Sequence, residues 1–217
     1  MISSNINCKE IFKEAYNNRY TWPKTFNGYS GKCIFVDNGK ATEGNFILDG
    51  NFKPEIINIS DKNIVKGISS QLFEVAIHRV KREYNEVHKN NNFKFLGKSD
   101  KGMRIEVLGK NEGDRYIVKD KKINMVFRKI HGVIIEIFVK EFIDTGDGFL
   151  SKKYSSQQLD MKTLTPKSKI LEYEDNFVNL GSDNIWVLES RIIKFLDDNN
   201  KTNKINYIFK ELSLHIG

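Results

Sequence analysis

Proline and cysteine are both scarce, and each scarcity excludes something. The three prolines, Pro23, Pro54 and Pro166, outline no long linker, and a length of 217 residues suits one domain spanning residues 1–217. A chain of this size buries roughly 70% of the surface that its unfolded form exposes, so a hydrophobic core can suffice without staples. Cys8 and Cys33 are too few for a disulfide framework and lack metal-ligand spacing. They read as structural thiols in a reducing compartment. The opening segment MISSNINCKE has no apolar run of signal-peptide length. The longest apolar run, Val133 to Val139, is interrupted by Glu136 and is far too short to cross a bilayer as a helix. The expectation is a cytoplasmic protein, neither secreted nor spanning a membrane.

Catalytic signatures are missing as well. There is no HExxH, CxxC or GxSxG, and no glycine-rich loop with dinucleotide or Walker spacing. No cofactor and no metal are expected, and the leaning is away from an enzyme. What is abundant is positive charge, with a net of +7. The basic residues are scattered among acids rather than gathered in a stripe, and Asn, Lys and Ile are enriched together. AT-rich codon usage produces that combination without any polyanionic partner, so no nucleic acid is expected.

Hydrophobic periodicity supplies the architecture. Ile11, Phe12, Ala15 and Tyr16 fall on one face of a helix from about Cys8 to Asn18, which ends before Pro23. Short strands follow through Cys33–Val36, Phe46–Leu48 and Glu55–Ile59, the first two joined by the hairpin signal Asn38-Gly39. Ser60-Asp61 caps a long helix running from Lys62 to Tyr84 or beyond, with a stripe of Ile64, Ile68, Leu72, Val75, Ala76 and Val80. After Asn92 come nine runs of alternating apolar residues, separated by turns too short for crossover helices. Strands connected in this way pair antiparallel.

The spacing therefore predicts an α+β fold. A large curled antiparallel meander over residues 92–217, a half-barrel or open barrel, carries an N-terminal helix and one long helix (61–88) across it. Val133, Ile135, Ile137 and Val139 form an apolar face that should be buried. The parity of the last strand switches between Phe209 and Leu212, which requires a bulge near Lys210-Glu211.

Four side chains are candidate catalytic groups. Asp144-Thr145-Gly146 matches the aspartic-protease triplet but lacks a second copy in the chain, and Asp147-Gly148 extends it as a turn. His78 lies four residues after Glu74 on a helix, and His131 opens the most apolar strand. A lone histidine pair is more often structural than catalytic. Arg79, Arg82 and Arg115 are candidate contacts for a ligand carboxylate or phosphate.

Several segments resemble a family of cyanobacteria and plant plastids known as domain of unknown function 3386. They are Ala15-Tyr16-Asn17-Asn18-Arg19-Tyr20-Thr21-Trp22, Gly28-Tyr29-Ser30-Gly31, Ala76-Ile77-His78-Arg79-Val80, Glu112-Gly113-Asp114-Arg115-Tyr116, His131-Gly132-Val133 and the stretch from Asp144 to Ser151. The resemblance implies an oxygenic phototroph, in cytoplasm or stroma and at most peripheral to thylakoids, with no activity assigned. The leading expectation is a non-enzymatic protein that binds an apolar or amphipathic small molecule (lipid, pigment or tetrapyrrole) in a sheet-lined cavity. The alternatives are a hydrolase or isomerase built on a His/Asp pair, and an assembly or scaffold factor with a photosynthetic protein partner.

Overall fold

The computed structural model describes residues 7–215. In chain order these form α1 (Cys8–Asn17), β1 (Gly28–Asp37), β2 (Lys40–Asp49), β3 (Pro54–Ile57), α2 (Lys62–Arg79) and α3 (Tyr84–His88). Next come β4 (Asn91–Ser99), β5 (Gly102–Gly109), β6 (Arg115–Lys119), β7 (Lys122–Ile130), β8 (Val133–Asp144) and β9 (Phe149–Asp160). The last strands are β10 (Leu171–Leu180), β11 (Ile185–Leu196) and β12 (Thr202–Leu214). The class is α+β with antiparallel strands, as the alternation predicts, and the strands do not close into a barrel: β3 and β4 are sheet edges.

The chain divides into two compact units, one of residues 7–19 with 82–171, the other of residues 20–81 with 172–215. In the first, β4 to β9 pair in sequence order, each antiparallel to the next. Helix α1 begins with Asn7 accepting the Glu10 N–H at 3.2 Å, a side-chain cap for one orphan donor. It packs against β4, β6, β7 and α3. Phe12, Ala15 and Tyr16 on its buried side meet Tyr84, Ile105, Val107, Tyr116 and Val118. A smaller cluster of Phe127, Ile134 and Leu159 fills the other face.

The second unit has the strand order β3-β2-β1-β12-β11-β10. The Asn38-Gly39 turn has positive φ at both residues, 49° and 77°, as a two-residue hairpin loop requires. The expected bulge is present: Ser30 pairs with Ser213 and Lys32 with Lys210, so Glu211 and Leu212 oppose Gly31 alone. Glu211 takes a φ of 51°, and a Cβ on Gly31 would lie 2.5 Å from the Lys210 carbonyl oxygen. Helix α2 packs on β1 and β3, burying Ile68, Leu72, Val75 and Ala76.

Two expectations need correcting. The helix predicted over 62–84 stops at Arg79, and Val80 is extended. The Arg79 carbonyl accepts the Trp22 N–H at 2.7 Å instead of a bond from the next helical turn, while Glu83 and Glu86 form a capping box that starts α3 afresh. In β8 the fully buried residue is Ile134, from the side read as mixed. Val133, Ile135, Ile137 and Val139 are only half-buried.

Candidate functional site

The candidates drawn from sequence are dispersed. His78 lies on the exposed side of α2 in the second unit, and His131 sits exposed at the β7–β8 turn of the first, with φ 47°. Within the first unit, His131 and Asp144 flank opposite ends of the twelve-residue β8, roughly 35 Å apart at the usual strand rise. The Asp-Thr-Gly segment folds as a turn. The Gly146 N–H donates to Asp144 Oδ1 at 2.9 Å, and the Thr145 hydroxyl donates to the Gly148 carbonyl at 2.8 Å. The Asp147 N–H donates to Thr145 Oγ1 at 3.3 Å. Arg115 is exposed, pairs with Glu106 at 3.3 Å and lies over the Phe127 ring. Arg79 lies over the Phe177 ring in the second unit, and Arg82 is exposed in the first, its carbonyl accepting the Tyr16 hydroxyl.

A different pair of arginines meets on the α1-facing side of the β4–β9 sheet. Just past the end of α1, Arg19 is positioned by its backbone: Asn18 O accepts the Phe149 N–H at 2.9 Å, and Arg19 itself bridges Phe149. Its Nε donates to the Tyr16 carbonyl at 2.8 Å, and its guanidinium carbon lies 3.8 Å from the centre of the Tyr16 ring. Among the described residues no carboxylate pairs with it. Burial pulls its pKa down, opposed by Tyr16, and nearby Arg128 lowers it further.

Arg128 comes from β7. Its Nε meets Asp114 Oδ2 at 3.2 Å, and the other Asp114 oxygen accepts the Lys129 N–H at 3.1 Å. Asp114 is buried, so it fixes the root of the Arg128 guanidinium and leaves the terminal nitrogens without a protein partner among the described residues. Among the described residues Arg128 is thus answered by a carboxylate, and Arg19 is not. Tyr116 is within electrostatic reach of both arginines, and its hydroxyl is pushed up to about 12 by burial and so stays protonated, a donor at any physiological pH.

An apolar shelf adjoins these donors. Register runs Tyr116–Val126–Ile137–Ser156 across β6 to β9, and the next row is Arg128–Ile135–Gln158. Ile135 and Ile137 are half-buried with Val133 and Val139 beside them on the same face. Asn124 of β7, also on this side, holds its buried Oδ1 without a partner among the described residues. Guanidinium donors, a phenol and a half-exposed apolar surface together suit a ligand with an anionic head, a hydroxyl and an apolar body.

His88, at the end of α3, closes the far side of this aromatic cluster. Its ring lies 5.1 Å from Phe12 and 5.0 Å from Tyr16, centre to centre. Asn91 Oδ1 accepts the Asn111 N–H, so its Nδ2 is the donor 3.0 Å from His88 Nδ1, which is therefore unprotonated. Burial first, then Arg128 and Arg19, lower its pKa to about 4. It is a neutral packing residue.

In the second unit the charged cluster is closed. Arg191, only 2% exposed, forms two bonds with Asp175 at 2.8 and 2.7 Å, donates to Gln71 Oε1 at 2.9 Å and lies 3.4 Å from Glu74 Oε2. It ties α2 to β10 and β11, and every charge is answered.

Sequence reasoning missed Arg19 and Arg128. Arg19 stands inside a segment that carried the family resemblance, and an arginine just beyond a helix end reads as an ordinary dipole partner. Among the described residues no group of acidic, histidine or cysteine side chains is arranged to hold a metal ion, and no helix is long and apolar enough to cross a membrane. A family model described as "Protein of unknown function (DUF3386)" matches residues 3–214. No curated protein matches. Among solved structures, a DUF1329 family protein from Desulfovibrio piger is similar at 8% identity, over 97% of this chain and 94% of that one, with a TM-score of 0.32.

Proposed function

We propose, for a chain that belongs to the DUF3386 family of proteins of unknown function, that it binds an anionic amphiphile on the α1-facing side of its β4–β9 sheet. The observation that carries this is Arg19: a guanidinium held in place by Tyr16, partly withdrawn from water, with no carboxylate to answer it among the described residues. A withdrawn, unpaired cation is costly, and an anionic ligand removes that cost. Arg128 and the Tyr116 hydroxyl add donors, so a carboxylate or phosphate head meets three groups. The half-buried isoleucines and valines of β8 take the apolar body.

The role is carriage or sensing of the molecule rather than chemistry upon it. In the phototroph setting that the family resemblance implies, fatty acids, phospholipids and propionate-bearing tetrapyrroles all have this form. Organic extraction of protein purified from its native host, followed by mass spectrometry, tests the reading. An anionic amphiphile in about one-to-one amount is expected, and a protein that yields none, purified in the absence of detergent, overturns it.

A further inference from the structure

Exposed apolar side chains gather in the segment between β9 and β10. Nine large hydrophobic residues are exposed among the described ones, and three of them, Met161 (40%), Leu164 (50%) and Ile170 (54%), fall within residues 161–170. The same stretch contains Lys162, Lys167 and Lys169 and no acidic residue. Apolar tips among charges of one sign are the composition of a surface that meets an anionic, apolar phase.

The segment is also firmly built. Asp160 at its root accepts the N–H groups of Lys162 and Thr163 at 2.8 and 3.0 Å on Oδ1, while Oδ2 pairs with Lys167 at 3.3 Å. The Asp160 N–H donates to the Thr165 carbonyl, and the Leu164 N–H returns to the Asp160 carbonyl at 3.0 Å. Ser168 is tied to Gln157 and Gln158. On this frame Leu164 takes a φ of 58°, a left-handed conformation that leucine rarely adopts. Strain of that kind is ordinarily repaid by packing, yet Leu164 stays half in water. The loop is ordered so as to hold a leucine outward.

We propose that this loop is a docking site for the surface of an anionic lipid bilayer. Leu164, Met161 and Ile170 enter the boundary between headgroups and acyl chains, and Lys162 faces the lipid phosphates. A bilayer needs no shaped groove on the protein and supplies both the negative charge and the apolar depth that the loop's composition matches. Asp160 does not oppose the approach, because its charge is taken up by the loop's own N–H groups and Lys167.

Co-sedimentation of the full chain with vesicles tests this. Wild type is expected to pellet with equal-part phosphatidylcholine and phosphatidylglycerol and to stay in solution with phosphatidylcholine alone. Leu164→Asp, which keeps a residue tolerant of left-handed φ, should raise the half-saturating lipid concentration by about tenfold. Lys162→Glu should raise it by about fivefold or more. Leu164→Trp should bind as wild type, with added emission that shifts to the blue on the anionic vesicles. No pelleting of wild type, unchanged binding of Leu164→Asp, or an unshifted Leu164→Trp emission would each overturn the proposal. Arg19→Met separates it from ligand binding, since that variant should pellet normally. If Arg19→Met fails to pellet while Leu164→Asp succeeds, the membrane is met through the ligand site and the loop is not the anchor.

Discussion

His88 couples the first unit's stability to pH through its surroundings. Burial among the rings of Phe12, Tyr16, Tyr84 and Phe93, and then the nearby charges of Arg128 and Arg19, disfavour the imidazolium, so its pKa falls from 6.5 to about 4. A base whose folded pKa is depressed stabilises the fold above its unfolded value of about 6.5, and that contribution is lost as the pH drops toward 4. After allowance for solvent screening the loss is on the order of 1–2 kcal/mol. Thermal unfolding of wild type between pH 7 and pH 4 should show it, and His88→Gln should flatten that part of the profile. A profile unchanged by the substitution would place the sensitivity elsewhere. Arg191 makes a different case at the same scale. Asp175→Asn leaves a nearly fully buried guanidinium facing a neutral amide, and a loss of about 3 kcal/mol is expected in denaturant unfolding. Neither residue stood out in the sequence. Pairings such as Arg19 with Arg128, or Arg191 with Asp175, cross more than a dozen residues of chain, and no periodicity marks them.

Turns, bulges and helix stripes were far more legible, because each is written in a local pattern. Asn38-Gly39 fixes its hairpin by backbone preference, and the parity switch from Phe209 to Leu212 fixes a bulge opposite Gly31. The α2 stripe of Ile68, Leu72, Val75 and Ala76 reads directly from helical spacing. Its end did not, since no proline or glycine marks Val80. There the Trp22 N–H, from a distant segment, captures the Arg79 carbonyl. The buried side of β8 was also misread, because apolar residues occupy both parities and only Ile134 is covered. Gly67 offers a test inside α2. A Cβ there would sit 3.4 Å from the Tyr207 hydroxyl, ordinary contact, and the position is helical. Gly67→Ala should therefore stabilise the protein by about 0.5–1 kcal/mol in thermal unfolding. A destabilised variant would mean that Tyr207 needs the space.

The molecule as a whole joins two antiparallel units of different chemical character. In one, Arg191 and its partners are mutually satisfied within a packed interface of α2 and strands. In the other, Arg19 is not, a protonated phenol and the half-free Arg128 lie within its electrostatic reach, and a half-buried apolar shelf adjoins Arg128. That contrast is the reason the proposed binding is placed in the β4–β9 unit, while the Arg191 cluster ties α2 to its strands. Direct titration with dodecyl phosphate by calorimetry tests the assignment most plainly, with wild type and Arg19→Met compared at equal concentration. Saturable binding of one molecule per chain is expected for wild type, weakened by at least about tenfold in Arg19→Met at unchanged thermal stability. Equal binding by the two proteins, or none by wild type, would contradict it.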